Sequence, residues 1–250
     1  MAGLSLALER FGTRSFADAL APGIEHASAG MAVDWYATLK IASAASVLAQ
    51  HEHSRKTYLP DGFVPCGEWG GEPPRIHLGN LVDTMKRLAS AGAKDFYHGE
   101  LAARLVRDFE TVGARVNAND LAAYTARIIE VPATAYRGHH IFAAPGLTAG
   151  PTLLDALSRL ARHWAPGSTP DAQAYAAYAD ALNDAYTHRL NTMGDADETR
   201  APSCTTHMSA VDADGNVVAL TQTLLSIFGS KVMLPDTGLM MNNGVMWFDP

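Results

Sequence analysis

Apolar residues recur at helical spacing through the first 50 positions of the chain. Alanine and leucine dominate residues 4–50. Ser15 and Asp34 are suitable N-caps, because their side-chain oxygens can accept hydrogen bonds from free backbone amides. Pro22 and Gly30 interrupt the pattern. The pattern therefore predicts several helical segments, with breaks at these two residues.

The helical pattern stops at a segment rich in proline and glycine. Eight residues of these two types fall between Tyr58 and Pro74, so no regular element can persist there and a loop is predicted. We expect Phe63 and Trp69 to anchor this loop on the core, with contact to a substrate as the alternative. The loop is also a candidate binding surface in its own right.

Helical spacing returns between residues 81 and 124. Gly92 and Gly113 are predicted to end two helices, and Asn119 is predicted to cap a third that begins at Asp120. Each of the first two helices carries one apolar face. These faces consist of Leu81, Met85 and Leu88 in one helix and of Leu101, Leu105, Val106 and Phe109 in the other.

Strand-like and helical patterns alternate in the following 60 residues. Two strand-like runs, Ile128–Tyr136 and His139–Ala143, flank a turn at Arg137-Gly138. Helices are predicted over Thr152–His163 and Asp171–Leu190. Because strands alternate with helices, we expect a parallel or mixed sheet covered by helices.

The second of these helices carries an aromatic stripe at helical spacing, which we interpret as a core face. The stripe consists of Tyr175, Tyr178, Leu182 and Tyr186. The polar residues that follow, Met193–Ser203, contain glycine and proline and predict an exposed linker.

The residues after this linker predict a β-hairpin, because two strand-like runs flank a turn that contains glycine. Ala213-Asp214-Gly215 fits a three-residue loop whose last residue is left-handed, a conformation that glycine adopts without strain. This loop places Thr205 directly opposite Thr223, whereas a two-residue turn would place Leu224 there. We expect the first register, which brings two hydroxyl groups together on one face.

A cross-strand threonine pair is by itself an ordinary stabilising feature of a sheet. The surrounding residues change the interpretation, because the sequence from Thr205 to Asn243 resembles, without a gap, the start of the small subunit of γ-glutamyltranspeptidases. The matching residues are Thr205-Thr206-His207, Val211-Asp212, Asp214-Gly215-Asn216, Thr221, Thr223-Leu224, Phe228-Gly229-Ser230, Thr237-Gly238 and Asn242-Asn243.

Weaker similarity to the large subunit of the same family extends upstream. Its landmarks are Gly3 to Leu8 with Phe11-Gly12, Asp95 to Gly99, Asp120 to Tyr124, and Tyr136-Arg137-Gly138. The resemblance implies an α+β fold, the four-layer αββα sandwich of N-terminal-nucleophile hydrolases, incomplete in this chain. It divides the chain into a mostly helical large-subunit-like region, 1–204, and a small-subunit-like region, 205–250, that carries the nucleophile.

The resemblance also implies that Met1 is an internal start and that the family fold continues on both sides of this chain. In the family, the Gly-Gly pair whose amides form the oxyanion hole lies in the stretch that follows the position of Pro250. We therefore expect the remaining segments of the fold, or a second chain, as a partner.

The resemblance assigns the catalytic role to Thr205, exposed as a new N-terminus by autocleavage between Cys204 and Thr205. An internal threonine lacks a base, but a released α-amine has an ordinary pKa of about 7.7 to 8.0 and can serve as one. Thr223 matches the family threonine that hydrogen-bonds this amine. The implied reaction is glutathione hydrolase-like hydrolysis or acyl transfer on a small-molecule amide, with no metal or organic cofactor.

Three further residues are candidate substrate contacts by resemblance. Asn243 belongs to the matching Asn-Asn pair, whereas Leu225 and Trp247 stand where many members carry Asn and an Asp that holds the substrate's amino group. Burying a charged glutamyl head group beside apolar residues is costly. A cephalosporin-acylase-like amidohydrolase with non-glutamyl specificity is therefore the alternative to a γ-glutamyl enzyme.

Composition removes some classes of partner. Lys and Arg total 19 against 26 for Asp and Glu, a net charge of −7, so neither nucleic acid nor an anionic membrane is expected as a partner. No apolar run approaches the roughly 20 residues that span a bilayer.

Glu9 and Arg10 interrupt the first apolar run, so no secretory signal is predicted and the compartment stays open. Cys66 and Cys204 are expected to be unpaired thiols.

A metal site and two non-enzymatic classes complete the alternatives. His51-Glu52-His53 is interpreted as a solvated helix end, because residues two apart point to different sides of a helix. An inactive truncated scaffold stays open, and so does a binding module built on the loop between residues 58 and 74.

Overall fold

The computed structural model describes residues 1–146, 148–192 and 203–244, without the side chains of Ser203 and Cys204. The described residues form two compact units, residues 1–127 with 203–244 and the described part of residues 128–192. The elements, in chain order, are α1 Ala2–Phe11, α2 Phe16–Ala29, β1 Met31–Ala32, α3 Trp35–Leu48, α4 Glu52–Tyr58, β2 Arg75–Ile76, α5 Leu81–Ala91, α6 Asp95–His98, α7 Glu100–Val112, α8 Ala118–Ala123, β3 Thr134–Tyr136, β4 His139–Ile141, α9 Gly150–His163, α10 Ala172–Thr192, β5 Ser203–Val211 and β6 Val217–Ser226.

The predicted N-caps of α2 and α3 are confirmed. Ser15 Oγ accepts from the amide of Asp18 at 3.1 Å, and the Asp34 carboxylate accepts from the amide of Ala37 at 2.8 Å. The predicted break at Pro22 is wrong, because Pro22 lies inside α2. A proline removes only one backbone hydrogen bond, and the packing of α2 against α5 offsets that loss.

The cap of α8 is Asn117 and not Asn119 as predicted. Asn117 Oδ1 accepts from the amides of Asn119 and Asp120, and the Asp120 carboxylate accepts from the amide of Asn117 at 2.8 Å. This reciprocal capping box needs the two residues to be three positions apart in the chain, as Asn117 and Asp120 are.

Two buried clusters form the core of the first unit. The first contains Ile41 and Leu48 of α3, and the second contains Leu101 and Leu105 of α7. The predicted apolar faces of α5 and α7 are confirmed at their centres, since Leu88, Leu101, Leu105 and Phe109 are all buried. Residues that follow the hairpin complete both clusters: Met233 belongs to the first and Leu234 to the second.

The start of α7 is fixed by a carboxylate one turn upstream. Asp95 accepts from the amides of Glu100 and Leu101, each at 3.1 Å, and from the guanidinium of Arg87 at 2.8 and 2.9 Å. The Arg87 hydrogen bond, helped by these amides, lowers the pKa of Asp95 to about 2 although burial opposes the shift. The negative charge thus remains at the helix N-terminus, where it stabilises α7.

The expectation that aromatic residues anchor the loop between residues 58 and 74 is wrong. Trp69 is fully exposed and Phe63 is 80% exposed. Hydrogen bonds to the backbone of the loop hold it instead. β1 pairs with β2 just after the end of the loop, and the Thr38 hydroxyl donates to the carbonyl of Pro65 at 2.9 Å. Cys66, also in this loop, is a free exposed thiol.

The second unit contains a hairpin and a helix pair. Arg137-Gly138 joins β3 to β4 as predicted, and both residues have positive φ. A turn this short joins antiparallel strands, and each sheet in the described part of the chain is an antiparallel pair, so the expected parallel or mixed sheet is wrong for these residues.

The aromatic stripe of α10 is not a core face as predicted. Tyr175, Leu182 and Tyr186 are 46 to 65% exposed, whereas Ala174, Ala181 and Ala185 are buried. Small side chains let α10 approach α9 closely, so these three larger residues point outward. Tyr178 of the same stripe is half-buried and meets the Trp164 ring edge-on, with the ring centroids 5.3 Å apart. Residues 193–202 of the predicted Met193–Ser203 linker lie outside the described residues, and Ser203 is the first residue of β5.

Candidate functional site

The hairpin formed by β5 and β6 has the predicted three-residue loop. Gly215 adopts φ +82° and donates its amide to the carbonyl of Asp212 at 3.2 Å, while the amide of Asp212 donates to the carbonyl of Asn216. The Asp212 carboxylate accepts from the side chain and backbone of Asn216 and from the amide of Asp214. These hydrogen bonds, the Asn216 side chain first, lower the pKa of Asp212 and keep the turn charged.

The predicted pairing of the two threonines is confirmed. Thr205 lies opposite Thr223, and their hydroxyl oxygens are 3.3 Å apart, within hydrogen-bonding distance. Thr223 Oγ1 also accepts from the amide of Leu225 at 2.8 Å, which fixes the orientation of its side chain. A nucleophile candidate and a hydroxyl that can orient it are thus held together by the ladder.

A β-bulge separates this pair from the next one. Cys204 pairs with Leu225, so Leu224 is an extra residue on β6 between two successive pairs. Leu225 accommodates the bulge with φ +77°, a strained conformation for a side chain other than glycine. The irregularity falls at the peptide bond between Cys204 and Thr205.

Asn243 fixes the end of β6. Its side-chain oxygen accepts from the amide of Ser226 at 2.9 Å, its side-chain nitrogen donates to Ser226 Oγ at 2.8 Å, and its own amide donates to the carbonyl of Leu224. The structure therefore does not bring all three candidate substrate contacts together. Asn243 hydrogen-bonds Ser226 and the carbonyl of Leu224, and Leu225 is buried. Trp247 lies outside the described residues.

A histidine on the same face was part of the matching motif but received no role from the sequence. The His207 ring contacts Thr221 Oγ1 through Nδ1 at 2.7 Å and Ser209 Oγ through Nε2 at 3.1 Å. Alternation along β5 places Thr205 and His207 on one face, which was the available signal. The ring thus links His207 to its own cross-strand partner, Thr221, two positions along the strands from the threonine pair.

A cavity of about 400 Å³ opens beside Thr223, on the face that carries Thr206 and Gln222. None of its lining residues carries a charge. Its remaining lining is formed by Leu224, Ser226, Ile227 and Phe228.

In the described part of the chain, no three histidine, cysteine or acidic side chains cluster as a metal ion would require. No described helix is both long and apolar enough to cross a bilayer.

Comparison with known proteins gives consistent matches. The family model described as Gamma-glutamyltranspeptidase matches residues 1–204 and 196–250. The chain is 26% identical to the Glutathione hydrolase proenzyme of Escherichia coli (strain K12), covering 97% of this chain and 48% of that protein. It is 28% identical to the Acylase ACY 1 proenzyme of Pseudomonas sp. (strain SE83), covering 98% and 49%.

Solved structures agree on the fold. A cephalosporin acylase from Bacillus halodurans superposes with a TM-score of 0.74 at 22% identity, covering 96% of this chain and 50% of the acylase. The Helicobacter pylori gamma-glutamyltranspeptidase superposes with a TM-score of 0.66 at 24% identity, covering 80% and 57%. These likenesses confirm the predicted α+β hydrolase fold, present in part, since the chain spans about half the length of the curated relatives it matches.

Proposed function

Because the chain belongs to the gamma-glutamyltranspeptidase family, we propose that it is part of an amide hydrolase and acyltransferase whose nucleophile is Thr205. The distance of 3.3 Å between Thr205 Oγ1 and Thr223 Oγ1, at the bulged end of the hairpin, carries the proposal. Cleavage between Cys204 and Thr205 would divide the chain into residues 1–204 and a piece that begins at Thr205.

The cleavage step uses groups that this chain contains. The Thr205 hydroxyl attacks the carbonyl carbon of Cys204, the carbon–nitrogen bond breaks, and the nitrogen takes the hydroxyl proton to become a free amine. An ester then joins Cys204 to the Thr205 oxygen, and water hydrolyses it. The bulge supports this step, because it interrupts the regular ladder at the bond that must be attacked.

The turnover step follows from the new N-terminus. The α-amine of Thr205 accepts the hydroxyl proton while the oxygen attacks the amide carbonyl of a small-molecule substrate. The leaving amine departs with a proton, and water or an acceptor amine then releases the acyl group from the ester. Thr223 would orient the amine and hydroxyl, since its own oxygen is fixed by the amide of Leu225. The proposal needs no metal or organic cofactor.

The proposed enzyme also needs a partner segment. The exposed apolar side chains of the hairpin support this, because a strand-rich partner would remove them from water. The apolar side chains that are at least 38% exposed are Met208, Val211, Val217, Val218 and Leu224. We propose that the remainder of the family fold, or a second chain, covers the hairpin and supplies the oxyanion donors.

For the substrate, we propose acyl groups that carry less charge than γ-glutamyl. Leu225 is buried directly across the ladder from Cys204, beside the bond that precedes Thr205. An ammonium group there would lack an anionic partner, which is costly in a buried site. The likeness to Acylase ACY 1 supports this second candidate, beside the γ-glutamyl enzyme that the likeness to the Glutathione hydrolase proenzyme supports.

Intact mass spectrometry of the purified chain tests the proposed cleavage. We expect two masses that add up to the whole chain plus one water and that meet between Cys204 and Thr205. N-terminal sequencing of the smaller piece should begin Thr-Thr-His. A single mass of the uncut chain after prolonged incubation would contradict the proposal.

A substitution at residue 247 tests the substrate proposal. Trp247→Asp should raise turnover of γ-glutamyl anilide relative to glutaryl anilide by about tenfold or more, because a carboxylate can pair with the substrate's ammonium while an indole offers only its π face. The ratio of kcat/KM for the two anilides, with the partner segment present, is the measurement. If the unsubstituted enzyme already prefers γ-glutamyl by about a hundredfold, roughly 2.7 kcal/mol, the substrate proposal is wrong.

A further inference from the structure

The tripeptide Asp236-Thr237-Gly238, which follows the hairpin, is enclosed by helices that precede it. Asp108 of α7, 1% exposed, accepts from the amides of Asp236 and Thr237 at 2.8 and 2.9 Å and from the Thr237 hydroxyl at 2.7 Å. Thr237 itself is fully buried. One buried carboxylate thus receives three hydrogen bonds from the tripeptide.

Two residues at the start of α5 hold the carbonyl side of the tripeptide. Thr84 Oγ1, 1% exposed, donates to the carbonyl of Thr237 at 2.7 Å, and Asn80 Nδ2 donates to the carbonyl of Asp236 at 3.0 Å. Gly238 has φ +69°, and a Cβ there would lie 2.5 Å from the backbone nitrogen of Leu81. The fit therefore requires glycine at this position.

The Asp236 side chain is recognised separately by Arg104. The guanidinium donates to both carboxylate oxygens at 3.0 Å and to the carbonyl of Asp236 at 2.7 Å. This hydrogen-bonded ion pair lowers the pKa of Asp236. The Asp236 side chain is 46% exposed and that of Arg104 is 16% exposed, so the pair adds geometric selectivity more than strength.

The residues just before the tripeptide are also buried. Met233 and Leu234 enter the two apolar clusters, and the fully buried Ser54 accepts from the amide of Met233 while it donates to the carbonyl of Lys231. Each of the enclosing side chains named here precedes Cys204, and each enclosed residue follows Thr205. The hairpin differs, because Val211, Val217 and Val218 are more than 60% exposed.

We propose that Asp236-Thr237-Gly238 is the noncovalent lock that keeps the Thr205-bearing piece attached to the helical piece once the bond between them is cut. The need for such a lock rests on the proposed function, because only a cleaved chain has two pieces to hold together. The strength of the contacts does not depend on cleavage. The hairpin carries little of the attachment. Release of the nucleophile-bearing piece is therefore controlled about 30 residues away from the nucleophile, at α5 and α7.

A controlled cut tests the lock without self-cleavage. A protease recognition sequence is inserted between Thr199 and Arg200 of the full chain carrying Thr205→Ala, and the protein is cut and analysed by size-exclusion chromatography and native mass spectrometry. We expect the two pieces to stay together at micromolar concentration. With Asp108→Ala added, we expect the dissociation constant to rise by about a hundredfold or more, because three hydrogen bonds to a charged acceptor are lost.

Two further variants control for folding and for location. Arg104→Met removes the ion pair with Asp236 and the hydrogen bond to its carbonyl, and it should weaken association by about tenfold or less, because the Asp236 carboxylate is partly exposed to solvent. Val218→Thr, a substitution on the hairpin surface, should leave association unchanged. Thermal unfolding of each uncut variant shows whether the helical piece still folds, and if Asp108→Ala does not, Asp108→Asn and Arg104→Met carry the test.

The lock is refuted if the cut unsubstituted protein separates into two pieces at micromolar concentration. It is also refuted if Arg104→Met and the folded Asp108 variants associate as tightly as the unsubstituted protein, or if Val218→Thr releases the piece. The proposed function fails by a different result, an uncut mass in the chain without the inserted sequence. The two failures are therefore distinguishable.

Discussion

Thr205→Ala is expected to abolish cleavage between Cys204 and Thr205, whereas Thr206→Ala is expected to leave it intact. The alanine at 205 lacks the hydroxyl that must attack the carbonyl of Cys204, and no other group replaces it. Thr206 points to the opposite face of the hairpin, where it pairs with Gln222 and lines the cavity. Intact mass of each purified variant over several days is the measurement.

Thr205→Ser provides the matched control for the hydroxyl. Serine keeps the nucleophilic oxygen but lacks the methyl group that restricts side-chain rotation, so cleavage should proceed more slowly. Cleavage at the same bond in the Thr205→Ala protein would show that another residue is the nucleophile. Loss of cleavage in Thr206→Ala, with folding intact, would show that the assignment to a single hydroxyl is wrong.

Gly229→Ala is expected to lower the free energy of unfolding by about 3 kcal/mol or more. Gly229 has φ +50°, and a Cβ there would lie 2.2 Å from the carbonyl oxygen of Met241. That oxygen also accepts from the amide of Ser230 at 3.0 Å, so it cannot move away without breaking a hydrogen bond. Urea unfolding followed by circular dichroism measures the difference.

Gly215→Ala separates the two causes of this destabilisation. Gly215 also has positive φ, +82°, but nothing lies within 4 Å of a Cβ placed there. Only backbone strain is introduced, so we expect a loss of about 1 kcal/mol. Equal losses of unfolding free energy in the two variants would mean that Met241 moves away from the new Cβ at little cost. The packing described around Gly229 would then be wrong.

Sequence reasoning succeeded for most features whose information is local, although it placed the cap of α8 at Asn119 instead of Asn117. The register of the hairpin depends on a three-residue turn, and the caps at Ser15 and Asp34 depend on the next three residues. It failed where tertiary packing decides between two faces of one element. Nothing within α10 indicates that its alanine face and not its tyrosine face meets α9, because helical spacing is the same for both.

The candidate site was predicted in part for the same reason. The facing of Thr205 and Thr223 follows from the turn, but the bulge that gives Leu225 a positive φ does not. Asn243 was expected at the substrate because of its motif, and its contacts with Ser226 depend on a chain reversal that local patterns do not encode. The contacts of Asp108 join residues about 130 positions apart, beyond the reach of any spacing argument.

The hairpin is, in mechanical terms, a cantilever. Its root is fixed where Asn243 hydrogen-bonds Ser226, and its tip is the turn at Gly215, 11 positions away in the chain and roughly 35 Å along the strands. Deflection of a cantilever grows steeply with distance from the root. Thr205 pairs with Thr223, three residues from the clamp, so bending that displaces the tip by several ångströms leaves the two hydroxyls almost in place.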